Sequence, residues 1–255
     1  MRLAFLALIA LTAYPQDPSK AVNLYSLEKE KALGEQLAQE VRRSNTPVDD
    51  PAILAWINGL AKRLVPDSRF SYSFELIKED PTMLHEPPSL PGGFVFVPVE
   101  LILAAQSEDE FAGMLAHAMA HVEAHHGARQ GNQGQTANFA TIPLILMGGW
   151  TGFAVGRNGT MAIPRGFLDA HRNFELDADR IAAEKMSAGG YDPEGLARYI
   201  EREQPPDPPQ PKPYSPLPER AARVAAIRAM ATGRTYPPHP DFAGLQDELR
   251  RRLAR

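Results

Sequence analysis

His117 and His121 stand four apart in the segment Leu115-Ala116-His117-Ala118-Met119-Ala120-His121-Val122. On a helix this spacing sets both imidazoles on one face, one turn apart. Two rings so placed can meet a single tetrahedral zinc ion. Alone the pair is weak, because histidines four apart also occur as ordinary core or surface residues. A second pair adds weight. Glu175 and Asp179 are also four apart, in Glu175-Leu176-Asp177-Ala178-Asp179. A glutamate oxygen suits a third zinc position, and an aspartate one turn on can accept the spare N–H of a ligating histidine and fix its tautomer. The competing reading of this segment is a solvated acidic face, and Asp177, at a different angle, is assigned to that face.

The elements that must position these residues are legible from local patterns. Leu27 to Arg43 carries apolar residues at helical spacing, and Asp50-Pro51 marks the start of a second helix with Ile53, Trp56, Ile57, Leu60 and Leu64 on one side. Phe70 to Ile77 alternates as a strand; Pro91-Gly92-Gly93 is a turn, and Phe94-Val95-Phe96-Val97 is a second strand. Ser107-Glu108-Asp109-Glu110 is a capping box opening the histidine-bearing helix, which is expected to run to about Gly127. Thr141 to Gly156 is apolar but broken by Pro143 and four glycines, which favours a buried or lid-like helical pair over a membrane span. His171 to Ala188 is helical and ends at Gly189-Gly190. Eight prolines between Pro205 and Pro218 make an extended connector over 204–218. Two amphipathic helices, Arg220 to Met230 and Phe242 to Leu253, close the chain, the latter within a C-terminal extension at 231–255.

Across 255 residues the formal net charge is −4, with no basic stripe, so nothing points to nucleic acid. There is no cysteine, which excludes disulfides, thiol nucleophiles and cysteine–metal sites. Residues 1–13 read as a signal peptide: Arg2, an apolar run from Leu3 to Leu11, then Thr12-Ala13 with cleavage expected after Ala13. The run is too short to span a bilayer as a mature helix. A periplasmic or secreted protein is expected, and no mature transmembrane span is indicated.

Taken together these segments resemble the zinc metalloendopeptidase family of HtpX, the CAAX prenyl proteases and BepA, and most closely its exported, BepA-like members. The resemblance rests on several segments in family order. They are Asn23-Leu24-Tyr25-Ser26, Leu33-Gly34, Asp49-Asp50-Pro51, Leu90 to Val97, Leu115 to Val122 with His126-Gly127, Phe174-Glu175 with Ala178-Asp179, and Ala188 to Pro193. It covers residues 22–230. It implies an α+β fold, a mainly helical metallopeptidase domain with a small sheet. His117, His121 and Glu175 become zinc ligands, and Asp179 supports one of them. It also implies an edge strand, Gly93, Phe94, Val95, Phe96 and Val97, beside the active-site helix, to which a polypeptide substrate adds as an extended strand.

Three departures qualify the activity. The family motif is His-Glu-x-x-His, and its glutamate falls at Ala118. That glutamate takes a proton from the attacking water and delivers it to the leaving amine, and a methyl group can do neither. Losing a positioned general base costs about 10²–10⁴ in rate. Glu86-Pro87-Pro88-Ser89 stands where the family has Asn-Ala, and a later His-Pro becomes Leu217-Pro218, with Arg223 keeping its place. The expected function is therefore a zinc-binding protein of this family, catalytically impaired, in cell-envelope protein quality control or peptide binding. The alternative is an active zinc metalloendopeptidase acting on misfolded or membrane-associated proteins, with a replacement base.

Overall fold

The computed structural model describes residues 25–78, 86–129, 165–205, 217–231 and 233–254. The expected signal peptide, the apolar Thr141–Gly156 segment and most of the proline-rich connector lie outside them. Among the described residues no helix is long and apolar enough to cross a membrane.

Helix α1 (Leu27–Ser44) begins where the Ser26 hydroxyl accepts from the Lys29 backbone N–H. A short strand β1 (Thr46–Val48) leads to α2 (Pro51–Leu64), capped by Asp50, whose carboxylate accepts from Ala52 and Ile53. Pro51 fits the first helical position because its missing N–H would have had no partner there. Strands β2 (Ser73–Lys78), β3 (Ser89–Leu90) and β4 (Phe94–Pro98) complete a four-stranded sheet of order β1-β2-β4-β3. The β2–β4 pair is parallel and the two outer pairs are antiparallel.

Phe94 to Val97 reads as an unbroken apolar run because β4 is covered on both faces. Phe96, with Ile77 and Leu90, packs under Leu37, Ala38 and Val41 of α1, while Val95 and Val97 enter the main core on the other side. The same placement corrects one expectation: β4 is not the edge. It lies between β2 and β3, so the edge beside the histidine-bearing helix is Ser89–Leu90 and the residues leading into it. A strand of two residues preceded by two prolines leaves no alternation to read.

After α3 (Val99–Ala104), helix α4 (Glu108–Glu123) runs through the centre of the molecule. Its Ser107 cap accepts from Glu110 N–H as expected, although the Glu110 carboxylate reaches back to Gln106 N–H rather than to Ser107. Small residues (Ala112, Gly113, Ala116, Ala118, Ala120) let neighbouring helices approach it closely on every side. Those neighbours are α2, the long α5 (Arg165–Gly189) and α6 (Glu194–Glu203). Helix α7 (Arg220–Met230) packs on α5 and α6. The C-terminal α8 (Phe242–Leu253) is part of the same core: Phe242 packs at a tilt against Trp56 and Phe111, and the Gln246 amide donates to the carbonyls of Ile102 and Ala105.

The turn before β4 is held by contact as well as by dihedral preference. Gly92 and Gly93 have φ of 80° and 101°, and a Cβ at Gly34 of α1 would sit 1.8 Å from the Pro91 carbonyl oxygen. Both sides of that contact are backbone, so α1 and the turn would have to separate. Overpacking of this kind costs about 1–3 kcal/mol, and alanine's helix preference over glycine returns only about 1 kcal/mol. Gly34→Ala is expected to lower the urea-unfolding free energy by up to about 2 kcal/mol. An unchanged midpoint would show that the turn yields freely.

Candidate metal centre

Helices α4 and α5 cross so that the histidine pair of one faces the acidic pair of the other. His117 Nε2 lies 3.1 Å from His121 Nε2 and 3.4 Å from Glu175 Oε2, and His121 Nε2 lies 3.6 Å from Glu175 Oε1. A fourth donor joins them that the spacing patterns missed. Glu86 Oε1 is 3.3 Å from His117 Nε2, and all four donor atoms lie within 4.8 Å of one another. The only advance signal for Glu86 was that it occupies a position where the family has a different residue.

Each histidine has a neighbour that favours the tautomer with Nε2 free. His117 Nδ1 is 2.9 Å from Asp179 Oδ1, a carboxylate that favours a proton on Nδ1, although the two are not aligned as a well-formed hydrogen bond. Asp179 is in turn gripped by Arg223 of α7, whose Nε and Nη2 donate to its two oxygens at 2.7 Å each. On the other ring, His121 Nδ1 faces His126 Nδ1 at 3.2 Å, and His126 Nε2 faces Asp177 Oδ2 at 3.2 Å. With the Nε2 proton of His126 donated to Asp177, its Nδ1 can only accept, so His121 must donate from Nδ1. His126 and Asp177, the latter assigned from the sequence to a solvated face, thus complete an orienting chain to the second histidine. An uninterrupted helix would have carried His126 round to another side. Instead α4 ends at Glu123, His125 adopts φ 57°, and the returning turn lays the His126 ring on Phe174.

The electrostatics suit a cation. The two Nε2 atoms face each other at 3.1 Å, and Glu175, fully buried, accepts no well-formed hydrogen bond at either oxygen among the described residues. Its carboxyl is held well below the usual range: burial opposes ionisation, but His121 and His117 outweigh it. Burial likewise disfavours a proton on His117, yet Asp179, Glu175 and Glu86 prevail and hold its affinity for a proton well above normal. On His121 burial dominates and pushes the affinity well below normal. A buried set of two imidazoles and two carboxylates, mutually repulsive when the donors are deprotonated, fits a divalent metal of the zinc class.

Ala118 is buried, and no carboxylate on the same helix substitutes for the missing one. Glu110 is paired with Arg202, and Glu123 accepts from Tyr72 and Ser68. His125 is engaged by Glu30 at 2.7 Å. His171 approaches Glu175 to 3.5 Å but stays outside the four-donor set.

The sheet edge over the centre is sparse in donors. The Phe96 N–H donates inward to Pro88 O at 2.9 Å, so the alternate residues, Pro87 and Ser89, turn their backbone groups outward. Pro87 has no N–H, which leaves Ser89 as the outward donor of this pair.

The profile of peptidase family M48 matches residues 65–231, well over half of the sequence. The chain belongs to peptidase family M48. Among curated M48 relatives, the β-barrel assembly-enhancing protease of Yersinia pestis is 28% identical over 188 residues, covering 69% of this chain and 38% of the relative. The corresponding Escherichia coli K12 protein is 26% identical over 199 residues, covering 74% of this chain and 40% of the relative. The chain therefore spans about two-fifths of the length of the relatives it matches. The M48 match runs from the end of α2 through α7, the span that holds every donor and orienting residue above.

Asp179 joins His117 to Arg223. Removing its carboxylate leaves the Arg223 charge buried without its partner, a class of change that costs about 3–5 kcal/mol. It also frees the His117 ring, which typically weakens metal affinity about 10–100-fold. Asp179→Ala is expected to show both losses, in denaturant titration and in competition against a chromophoric chelator. Metal affinity equal to that of the parent chain would remove Asp179 from this role.

Proposed function

We propose that this M48 protein binds zinc at His117, His121 and Glu175 with Asp179 in support, that its peptidase activity is severely impaired, and that it acts in cell-envelope protein quality control or as a peptide-binding module. The observation that carries the proposal is a pairing of opposites: a buried donor set built and oriented for a cation, beside an alanine where the family's base would stand. Zinc in a site of this kind acts as a Lewis acid, polarising a carbonyl and acidifying water. This chain's own residues supply the ligands and their orientation, but at position 118 they supply no group that takes or returns a proton. The expected deficit from that loss is about 10²–10⁴ in rate.

An envelope location is supported by the signal-peptide pattern of residues 1–13 and by relatives whose name refers to β-barrel assembly. A polypeptide is the natural partner of an M48 cleft, although the proline-bearing edge offers fewer backbone donors than strand addition normally uses. The second reading, an active zinc metalloendopeptidase, is favoured by one observation: the Glu86 carboxylate stands at the centre and could serve as the base.

Purified full-length protein is expected to carry close to one zinc per chain by elemental analysis, and His117→Ala to carry almost none. Incubation with unfolded casein is expected to yield no cleavage that a chelator abolishes. Robust chelator-sensitive turnover would overturn the impaired reading and leave the active one, and a metal-free parent protein would overturn both.

A further inference from the structure

We infer that Glu86 is a fourth protein ligand, so that the centre is closed: every position of a four-coordinate metal is taken by a side chain of this chain, and none is left for water or a substrate carbonyl. The inference rests on the zinc-binding reading above and adds to it the state of the coordination shell.

Four observations carry it. First, the spacing of the donors fits. Metal–nitrogen and metal–oxygen bonds of 2.0–2.1 Å in a tetrahedron place neighbouring donor atoms about 3.3–3.4 Å apart. Four separations are near this value: 3.1 Å between the imidazoles, 3.3 Å from Glu86 to His117, and 3.4 and 3.6 Å from the two oxygens of Glu175 to His117 and His121. Glu86 lies within 4.8 Å of the other two donors, so it meets the set through His117 and is near enough for a metal to draw it in.

Second, Glu86 is fixed in place. Pro87 follows it, which restricts Glu86 to extended backbone, and Pro87-Pro88 is stiff. The Phe96 N–H bond to Pro88 O then anchors that stiff pair to β4. A ligand on such a mount loses little freedom when a metal binds.

Third, its burial has a cost that needs compensation. Glu86 is 8% exposed and faces two imidazoles and a second carboxylate. A carboxylate so placed is stabilised by a shared cation and destabilised without one.

Fourth, the closed shell agrees with position 118. In catalytic zinc sites three protein ligands leave one position open, while structural sites fill all four. A base at residue 118 would have no water to act on in a filled shell.

The test uses the full chain loaded with cobalt(II), whose visible bands report coordination, and with acetohydroxamate as the incoming ligand. The parent protein is expected to show a four-coordinate spectrum that acetohydroxamate leaves unchanged. Glu86→Gln and Glu86→Ala are expected to bind metal at least about 100-fold more weakly, and their bands to shift when acetohydroxamate is added. The parent arm requires no substitution, so it stands even where a variant folds poorly. A parent spectrum that responds to acetohydroxamate, or Glu86 variants with undiminished affinity, would overturn the closed shell. His117→Ala separates the two levels. Metal retained in that variant sinks the zinc site itself, and with it the proposed function. Metal lost there but undiminished in the Glu86 variants sinks only the fourth ligand.

Discussion

A carboxylate withdrawn from water needs positive charge or donors close by, and Glu175 has been withdrawn completely. Much of the molecule is arranged around that constraint. Helix α5 brings Glu175 against α4, whose small residues permit the approach, and α4 offers two imidazoles in return. Arg223 stands 3.8 Å from the same carboxylate and spends its two best hydrogen bonds on Asp179, one turn further along α5. The Arg223 guanidinium also donates to Gln204, which itself donates to Pro218 O, so the two ends of the proline-rich connector are tied to the same charge. Charge compensation at the centre and closure of the helical domain are therefore one arrangement.

The departures from family pattern gather at one place. Ala118 lies in the helix that carries both imidazoles, Glu86 enters the donor set, and Pro87 and Pro88 form the approach to the sheet edge beside them. In the proposed reading each alters a different requirement of hydrolysis: the proton carrier, the open coordination position, and the backbone donors that align a substrate strand. The orienting residues Asp179, His126 and Arg223 surround the donors, and in that reading they serve metal binding rather than bond cleavage.

The helix-borne part of this centre was legible in the sequence because a four-residue spacing on a helix is itself a geometric statement. His117 with His121 and Glu175 with Asp179 each declare a shared face, and the structure brings those faces together. The capped starts of α2 and α4 and the two closing helices were equally plain, since caps and apolar periodicity are local signals. Glu86 was not legible as a donor: it sits in a non-repeating segment, and only tertiary packing carries it to the histidines. His126 was hidden for the opposite reason, since a continuous helix predicts the wrong side for it and the positive φ at His125 cannot be read from a histidine's identity. The edge strand was misplaced because it was carried over from the family resemblance, and the unbroken apolar run of Phe94 to Val97, which fits a strand covered on both faces, was not weighed against it.

The donors come from three stretches far apart in the chain: the lead-in to β3, helix α4 and helix α5. A chain without cysteine has no covalent means of joining such stretches, yet a metal held by all of them works as a cross-link that the unfolded polypeptide must give up. Because binding only to the folded form adds to stability by mass action, the population of intact molecules becomes tied to the supply of the ion. In the zinc-binding reading, a fall in that supply lowers the folded fraction and a rise increases it.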